Sequence, residues 1–478
     1  MSNQSSRKRS ADILPTSQAA TVRESLQVGA TYSNRGARVA RPTRLVQYLL
    51  AIYLVYLVFS QSSHAGFLER LGWRPASRDF SHLANHCAHI SPISEQSFIE
   101  RQDALARTLH ALNASAYIAE PGASASYFAN LSSSSWHLSE RPLLLVVQPT
   151  TDKHGNIRGD VAILTPAFEE SRARLLPIPS AAGVTYTAWP EDHSPYSRAL
   201  SLLPSLVDTA IYVDRDVRSF ITDGLQKAAP KSEVSVAPLD VQRIRERKGD
   251  EEIDILKCVN EVTVLAIRAA RDHLHIGIRE SEASQVMHNA LAAAGLGDIW
   301  VLALFGENAA LPHGSGTDRV LGKHDLVLVD IGGSLHGYHS DVTRTFALPA
   351  SEIPLRYQAL WHVVHAAQQR ALLTAGNGTI TASVDRAARK IIKEAGYGEF
   401  FTHRLGHGIG LETHESPYLV GGSDDVILTG HSFSDEPGIY IEGKVGVRLE
   451  DCFYIDRDGQ AQYLTAGVGA PASSPWSP

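Results

Sequence analysis

The stretch Thr402–Pro417, THRLGHGIGLETHESP, carries His403, His407 and His414 among Gly406, Gly408 and Gly410. Such a run has too little apolar surface to build a core, and its glycines let the backbone approach closely whatever the histidines face. Crowded imidazoles on such a segment read as a site. Upstream, DLVLVDIGGSLHGYHSDVTRTF (Asp325–Phe346) opens as a buried strand, Leu326–Val329, that delivers Asp330 at its end, with Gly332 and Gly333 expected to turn the chain before Asp341. An isolated buried carboxylate is costly, so Asp330 requires a cation, either Arg344 or a metal. Downstream, SDEPGIYIEGKVGVRLEDCFYI (Ser434–Ile455) places Glu436 before a Pro-Gly turn and Glu450 in a second apolar run, with Gly443 and Gly446 able to make the hairpin between them. That hairpin brings Glu436 and Glu450 together, and adjacent carboxylates repel unless a proton or a cation lies between them.

Asp330, Asp341, His407, Glu436 and Glu450 together form the expected metal-binding set. Hard oxygen donors with one imidazole suit Mn²⁺, with Co²⁺ or Zn²⁺ as alternatives, and carboxylates that can bridge suit two such ions side by side. Each acid alone reads as an ordinary ion-paired carboxylate; the signal lies in the combination.

The rest of the chain sets the frame. Its 478 residues predict two domains with additional segments, and the 44% hydrophobic and 20% charged fractions are those of a globular protein. A formal charge of −7 leaves no basic footprint for nucleic acid. Cys87, Cys258 and Cys452 are far apart and odd in number, and are expected to be three separate buried thiols. Residues 1–44, rich in Arg and Ser, read as a disordered basic tail. The uncharged run LVQYLLAIYLVYLVFS (residues 45–60) reads as an uncleaved signal anchor with its N terminus in the cytosol and the remainder lumenal or extracellular. A secreted form, cleaved after SHA (Ser63–Ala65), is the alternative. Asn113, Asn130 and Asn377 each begin an N-glycosylation sequon, in keeping with either route.

Residues 66–240 alternate helical and strand patterns. Phe98, Leu105, Leu109 and Leu112 fall near one helical face, and PLLLVVQP, DVAILTP and AIYVDRD read as strands. This predicts an α/β domain without a phosphate loop or nucleophile elbow. A charged linker follows and enters a helix whose first turn holds Asp250, Glu251 and Glu252, with Ile253, Leu256 and Val259 as its buried stripe.

The ordered set LPHG, VDIGG, GYHSDVTRTF, HRLGHGIGLETHE, SDEPGIYI and GVRLED resembles the pita-bread metallopeptidases, the family of aminopeptidase P, prolidase and methionine aminopeptidase. The resemblance covers about residues 243–464, and the preceding block resembles the creatinase-type N-terminal domain, which methionine aminopeptidases lack. It implies an α/β (α+β) fold with a pseudo-symmetric catalytic domain around two ions, and residues 465–478 remain as a flexible tail. Asp330 would chelate one ion, Asp341 and Glu450 would bridge, and His407 and Glu436 would complete the other. His414 would face the substrate carbonyl, His313 and His403 would line the peptide pocket, Glu436 would shuttle a proton, and Arg448 would orient a carboxylate. The implied activity is hydrolysis of the peptide bond before proline by a metal-bridging hydroxide, as an Xaa-Pro aminopeptidase or dipeptidase, in a homodimer. A hydrolase of a specialised metabolite amide, a metal-free amidinohydrolase and a non-catalytic binding protein are the alternatives; the complete ligand set speaks against the last two.

Overall fold

Helix α1 (Glu95–Ala111) begins where the Ser94 side chain accepts from the Ser97 amide at 3.3 Å, and it buries Phe98, Leu105 and Leu109. The computed structural model describes residues 79–203 and 209–478, so the basic tail and the apolar run 45–60 lie outside the described residues. Strands β1 (Ala114–Ala119), β2 (Leu144–Thr151), β3 (Ile157–Pro166), β4 (Thr185–Trp189), β5 (Ala210–Val213) and β6 (Glu233–Val236) form one mixed sheet in the order β4-β3-β2-β1-β5-β6. Leu144 to Val147 are apolar without alternation because both faces of the sheet are covered. Leu145 and Val147 pack with Leu105 and Leu109 of α1, while Leu144 and Val146 pack with Leu200, Ile221 and Leu225 on the other face.

The second half of the chain builds two sheet-and-helix layers. Helix α2 (Asp250–Arg271), with Glu252 accepting from the Gly249 amide at 2.9 Å, lies with α3 (Glu280–Ala293) against the sheet of β7 (Gly297–Phe305), β8 (Val327–Leu335), β9 (Tyr338–His339) and β10 (Val342–Phe346). Helices α4 (Leu355–Thr374) and α5 (Thr381–Glu394) back the sheet of β11 (Gly406–Gly408), β12 (Glu415–Leu419), β13 (Ser432–Asp435), β16 (Asp451–Ile455) and β17 (Ala461–Tyr463). Between β13 and β16 the chain makes the hairpin β14 (Gly438–Ile441) and β15 (Val445–Arg448). The Glu450 amide donates to the Thr343 carbonyl at 3.0 Å, joining the two layers where the acids gather.

The structure departs from the expectations at several points. Asp330 lies inside β8 rather than at its end, and Gly332 and Gly333 continue that strand; the turn comes at His336 and Gly337, with φ of 51° and 83°. Gly332 serves close approach instead, because a Cβ there would meet the Ser340 carbonyl oxygen at 2.2 Å. Cys87 and Cys258 are not separate thiols: they form a disulfide across 171 residues, leaving Cys452 as a buried free cysteine. Phe80, Leu83 and Cys87, expected in the first domain, pack into the core beside α2 and α3. Residues 465–478 do not hang free: Thr465 and Ala472 are buried, and Arg268 Nε donates to the Pro478 carbonyl at 2.8 Å. The disulfide, the packing of Phe80 and Leu83 and the anchoring of Pro478 are contacts between distant parts of the chain, which local patterning does not report.

Among the described residues no helix is long and apolar enough to cross a membrane.

Candidate metal centre

Five separate positions in the two sheet-and-helix layers deliver the five expected donors to one place. Asp330 projects from β8, Asp341 precedes β10, His407 occupies the middle of β11, Glu436 follows β13, and Glu450 lies between β15 and β16. Ligand atoms of Asp330, Asp341 and Glu450 lie within 4.8 Å of one another, as do those of His407, Glu436 and Glu450. His407 Nε2 is 3.5 Å from Asp341 Oδ2 and 3.4 Å from Glu436 Oε1. Donors sharing one cation through bonds of about 2.1 Å stand roughly 3.0 to 3.4 Å apart, so this spacing suits a common ion.

The electrostatics point the same way. Burial, with the neighbouring carboxylates, pushes Asp341 and Glu450 well above the usual range, and burial pushes Glu436 to about 7. Burial lowers His407, leaving a neutral imidazole, and its Nδ1 lies 3.0 Å from the Gly408 carbonyl. A carbonyl only accepts, so Nδ1 carries the proton and Nε2 turns its lone pair to the acids. Asp330 Oδ1 and Glu450 Oε1 are buried without a hydrogen-bond partner. Repelling acids with orphaned oxygens and an unprotonated nitrogen fit a pair of divalent cations.

Arg448 organises this cluster, and the cation expected to pair with Asp330, Arg344, is engaged elsewhere. Arg344 pairs with Asp451 at 2.7 Å, while Arg448 Nη2 pairs with Asp330 Oδ2. Arg448 Nε donates to Thr343 Oγ1 at 3.0 Å, and that hydroxyl donates to Glu450 Oε2 at 2.7 Å. One guanidinium thus orients two of the acids, directly and through Thr343.

The remaining histidines surround the cluster. His414 is exposed on its outer side and stands edge-on to His407 with ring centroids 4.3 Å apart; partial desolvation of its ring, followed by the charges of His407 and Arg404, lowers it to about 4. Its ring also falls within the group formed by Asp341 and His407. His403, lowered to about 4 chiefly by burial, accepts at Nε2 from the Tyr440 hydroxyl at 2.8 Å, which in turn accepts from Arg448 Nη1 at 3.1 Å. His313 is exposed, and the carbonyl of its neighbour Pro312 accepts from Arg448 at 3.4 Å. The sequence reading missed Tyr440 and Thr343; both sit in ordinary strand patterns, and their proximity to Arg448 arises only from pairing.

A buried cluster of four acids and a neutral imidazole, ringed by three more histidines between two sheet-and-helix layers, is the centre of a metallohydrolase. The description of metallopeptidase family M24 matches residues 254–457. An uncharacterized peptidase of Schizosaccharomyces pombe is 39% identical over 364 residues, covering 75% of this chain and 79% of that protein. An Xaa-Pro dipeptidase of Lactobacillus delbrueckii subsp. lactis is 38% identical over 222 residues, and the match spans 46% of this chain and 60% of that protein's length. The crystal structure of dipeptidase PepE from Mycobacterium ulcerans superimposes with a TM-score of 0.70 at 28% identity, covering 80% of this chain and 98% of the other. The chain belongs to metallopeptidase family M24: it is a pita-bread metallopeptidase preceded by an α/β sheet domain.

Proposed function

We propose that this peptidase hydrolyses the bond before proline in Xaa-Pro substrates. The observation that carries the hydrolytic reading is the convergence of Asp330 Oδ1 and Glu450 Oε1, both without partners, on the cluster that also holds Asp341, His407 and Glu436. The proline preference is supported by the likeness to the Lactobacillus Xaa-Pro dipeptidase. Two divalent cations held by Asp330, Asp341, His407, Glu436 and Glu450, with Mn²⁺ the expected metal, would supply charge neutralisation, polarisation of the carbonyl and acidification of water.

The chain's own groups do the remaining work. Arg448 and Thr343 keep Asp330 and Glu450 in place, so the donors need no reorganisation when substrate arrives. Glu436 takes the proton of the attacking water on a carboxylate oxygen and returns it to the proline nitrogen as the amine leaves. His414, neutral at physiological pH, presents an imidazole to the carbonyl oxygen as negative charge develops there. His403 is fixed by Tyr440, and with His313 it borders the same space. A tertiary amide lacks an N–H, so the leaving side of the pocket needs no acceptor and can be shaped to the ring.

The working compartment is read as lumenal or extracellular. The Cys87–Cys258 disulfide supports this, since cytosolic thiols are kept reduced, and Asn113, Asn130 and Asn377 are all exposed.

The test is hydrolysis of an Xaa-Pro dipeptide and an Xaa-Pro-Xaa tripeptide by the full chain, with Mn²⁺ and with a chelator, beside Asp341→Ala. Mn²⁺-restored cleavage that Asp341→Ala abolishes is the expected result. Retained cleavage in that variant, or full activity with chelator, would overturn the reading.

A further inference from the structure

We propose that a monovalent alkali cation binds behind the metal centre, between helix α4 and the sheet of β13, β16 and β17, held by Asp435, Asp451, Gln368 and Tyr463. The inference concerns the protein beneath the catalytic donors and holds whatever peptide they cleave.

Asp435 and Asp451 are direct cross-strand partners in the β13–β16 pair, and both are 0% exposed. Like charges directly opposite in an antiparallel pair repel, and burial removes the water that would screen them. Asp451 is well supplied: Arg344 Nη2 and the Thr465 hydroxyl each donate to its Oδ1 at 2.7 Å, and Gln368 Nε2 donates to its Oδ2 at 3.2 Å. Asp435 is not. Neither of its carboxylate oxygens has a hydrogen-bond partner, and no basic side chain among the described residues forms an ion pair with it. Two buried carboxylates therefore share the single guanidinium of Arg344, and one positive charge is wanting.

Two further oxygens point to what supplies it. Gln368 projects from α4, and its amide nitrogen also donates to the Asp435 carbonyl at 3.3 Å, so the amide head lies between the two acids; its Oε1 is buried without a partner. Tyr463 stands opposite Phe453 in the β16–β17 pair, and Phe453 is two residues from Asp451, so the Tyr463 side chain projects from the face that carries both acids. Its hydroxyl is likewise buried and unpartnered. A proton on Asp435 would serve one acceptor, whereas a cation takes all of these oxygens at once. Hard oxygen donors without nitrogen or sulfur suit an alkali or alkaline-earth ion, and the deficit of one charge selects the monovalent one. Asp435 and Asp451 are the chain neighbours of Glu436 and Glu450, so an ion tying the first two together fixes, through the backbone, the separation of two metal-binding carboxylates.

The experiment takes the full chain loaded with Mn²⁺, so that the catalytic donors are occupied, and follows thermal melting in NaCl, KCl and tetramethylammonium chloride at equal ionic strength, for wild type, Asp435→Asn and Tyr463→Phe. Competition titration of Mn²⁺ in the same three salts runs beside it, with folding checked by circular dichroism. In wild type Na⁺ or K⁺ should raise the melting temperature in a saturable way that the bulky tetramethylammonium ion does not reproduce, and should tighten Mn²⁺ binding by about 5-fold or more. Asp435→Asn, a neutral isostere, should lose both effects, and Tyr463→Phe, which removes a single oxygen, should need more alkali salt for the same rise. Where Asp435→Asn does not fold, the shifted salt requirement of Tyr463→Phe decides the matter. Equal melting and equal Mn²⁺ affinity of wild type in all three salts would mean that the acids share only a proton, and overturns the proposal. An alkali effect undiminished in both variants places the ion elsewhere and overturns it too. An additional Mn²⁺ bound at this position by wild type and lost in Asp435→Asn overturns the monovalent assignment.

Discussion

Asp341, Glu436 and Glu450 are held where none ionises easily without a cation, and this has a thermodynamic consequence. Their raised pKa values mean that the metal-free native state keeps protons the unfolded chain has already lost, so its stability falls as pH rises from about 4.5 through 7 and above. His403, His414 and His431 act oppositely: each is lowered from 6.5 to about 4, so the unfolded chain binds more protons in that window and their contribution grows with pH up to 6.5. Beyond that point only the acids act. The chelated protein should melt at a lower temperature at about pH 8 than at about pH 6.5, and saturating Mn²⁺ should shrink the difference, leaving the share of buried acids outside the cluster such as Asp435; equal melting of the chelated protein at both values would refute the account. Arg448 and Thr343 belong to the same scale. Thr343→Val removes the hydroxyl that links Arg448 Nε to Glu450, and should weaken metal binding by about 10- to 100-fold in a competition titration while the secondary structure persists.

At the level of elements, the segment bearing His414 is suspended between the linker before α2 and the edge strand β12. Lys248 Nζ pairs with Glu415 Oε1 and donates to the carbonyls of Arg245 and Glu246 at 3.0 and 3.2 Å, while Arg245 pairs with Glu412. Lys248 and Glu415 are both buried, so removing Lys248 leaves the Glu415 carboxylate with only the longer Arg245 contact at 3.6 Å. Lys248→Met should cost about 3–5 kcal/mol in urea unfolding, and adding Glu415→Gln should restore most of it. An equal loss in single and double variants would place the effect in packing. The sheet at His407 has its own constraint: a Cβ on Gly406 would meet the Ser434 carbonyl oxygen at 2.0 Å, so β11 and β13 can approach only with glycine there. The elements themselves were readable where the signal is local. Helices α1 and α2 follow apolar stripes with capping and acidic first turns, and β2 and β3 follow short branched runs bounded by proline. The end of β8 differs from the expectation because Gly332 and Gly333 carry the pattern of a turn, while Gly332 lies against Ser340 and Trp300 and Gly333 against Leu296 and Gly297.

For the whole molecule, the disulfide decides how the first described segment sits. Cys87 ties residues that also contribute Phe80 and Leu83 to the core of α2 and α3, so the lead-in to the sheet domain is anchored on the catalytic domain. Non-reducing peptide mapping should recover Cys87 and Cys258 in one linked species, and Cys87→Ser should lower stability by about 2–4 kcal/mol. Recovery of both as free thiols from secreted material would count against the oxidising compartment proposed for this chain. The same material treated with an endoglycosidase should gain mobility on a gel if Asn113, Asn130 or Asn377 is modified.

The candidate donors, the entry and buried stripe of α2 and the family resemblance were contained in the sequence, because each depends on residue chemistry in a local setting: acids within apolar strands, and histidines among glycines; α3, α4 and α5 were not read from it. The partner of Asp330, the Cys87–Cys258 link and the relay from Arg448 through Thr343 and Tyr440 were decided only by the tertiary structure. Each joins residues whose neighbours along the chain carry no sign of the other. Strand register and helix packing bring them together, and only there can a charge find its counter-charge or a thiol its partner.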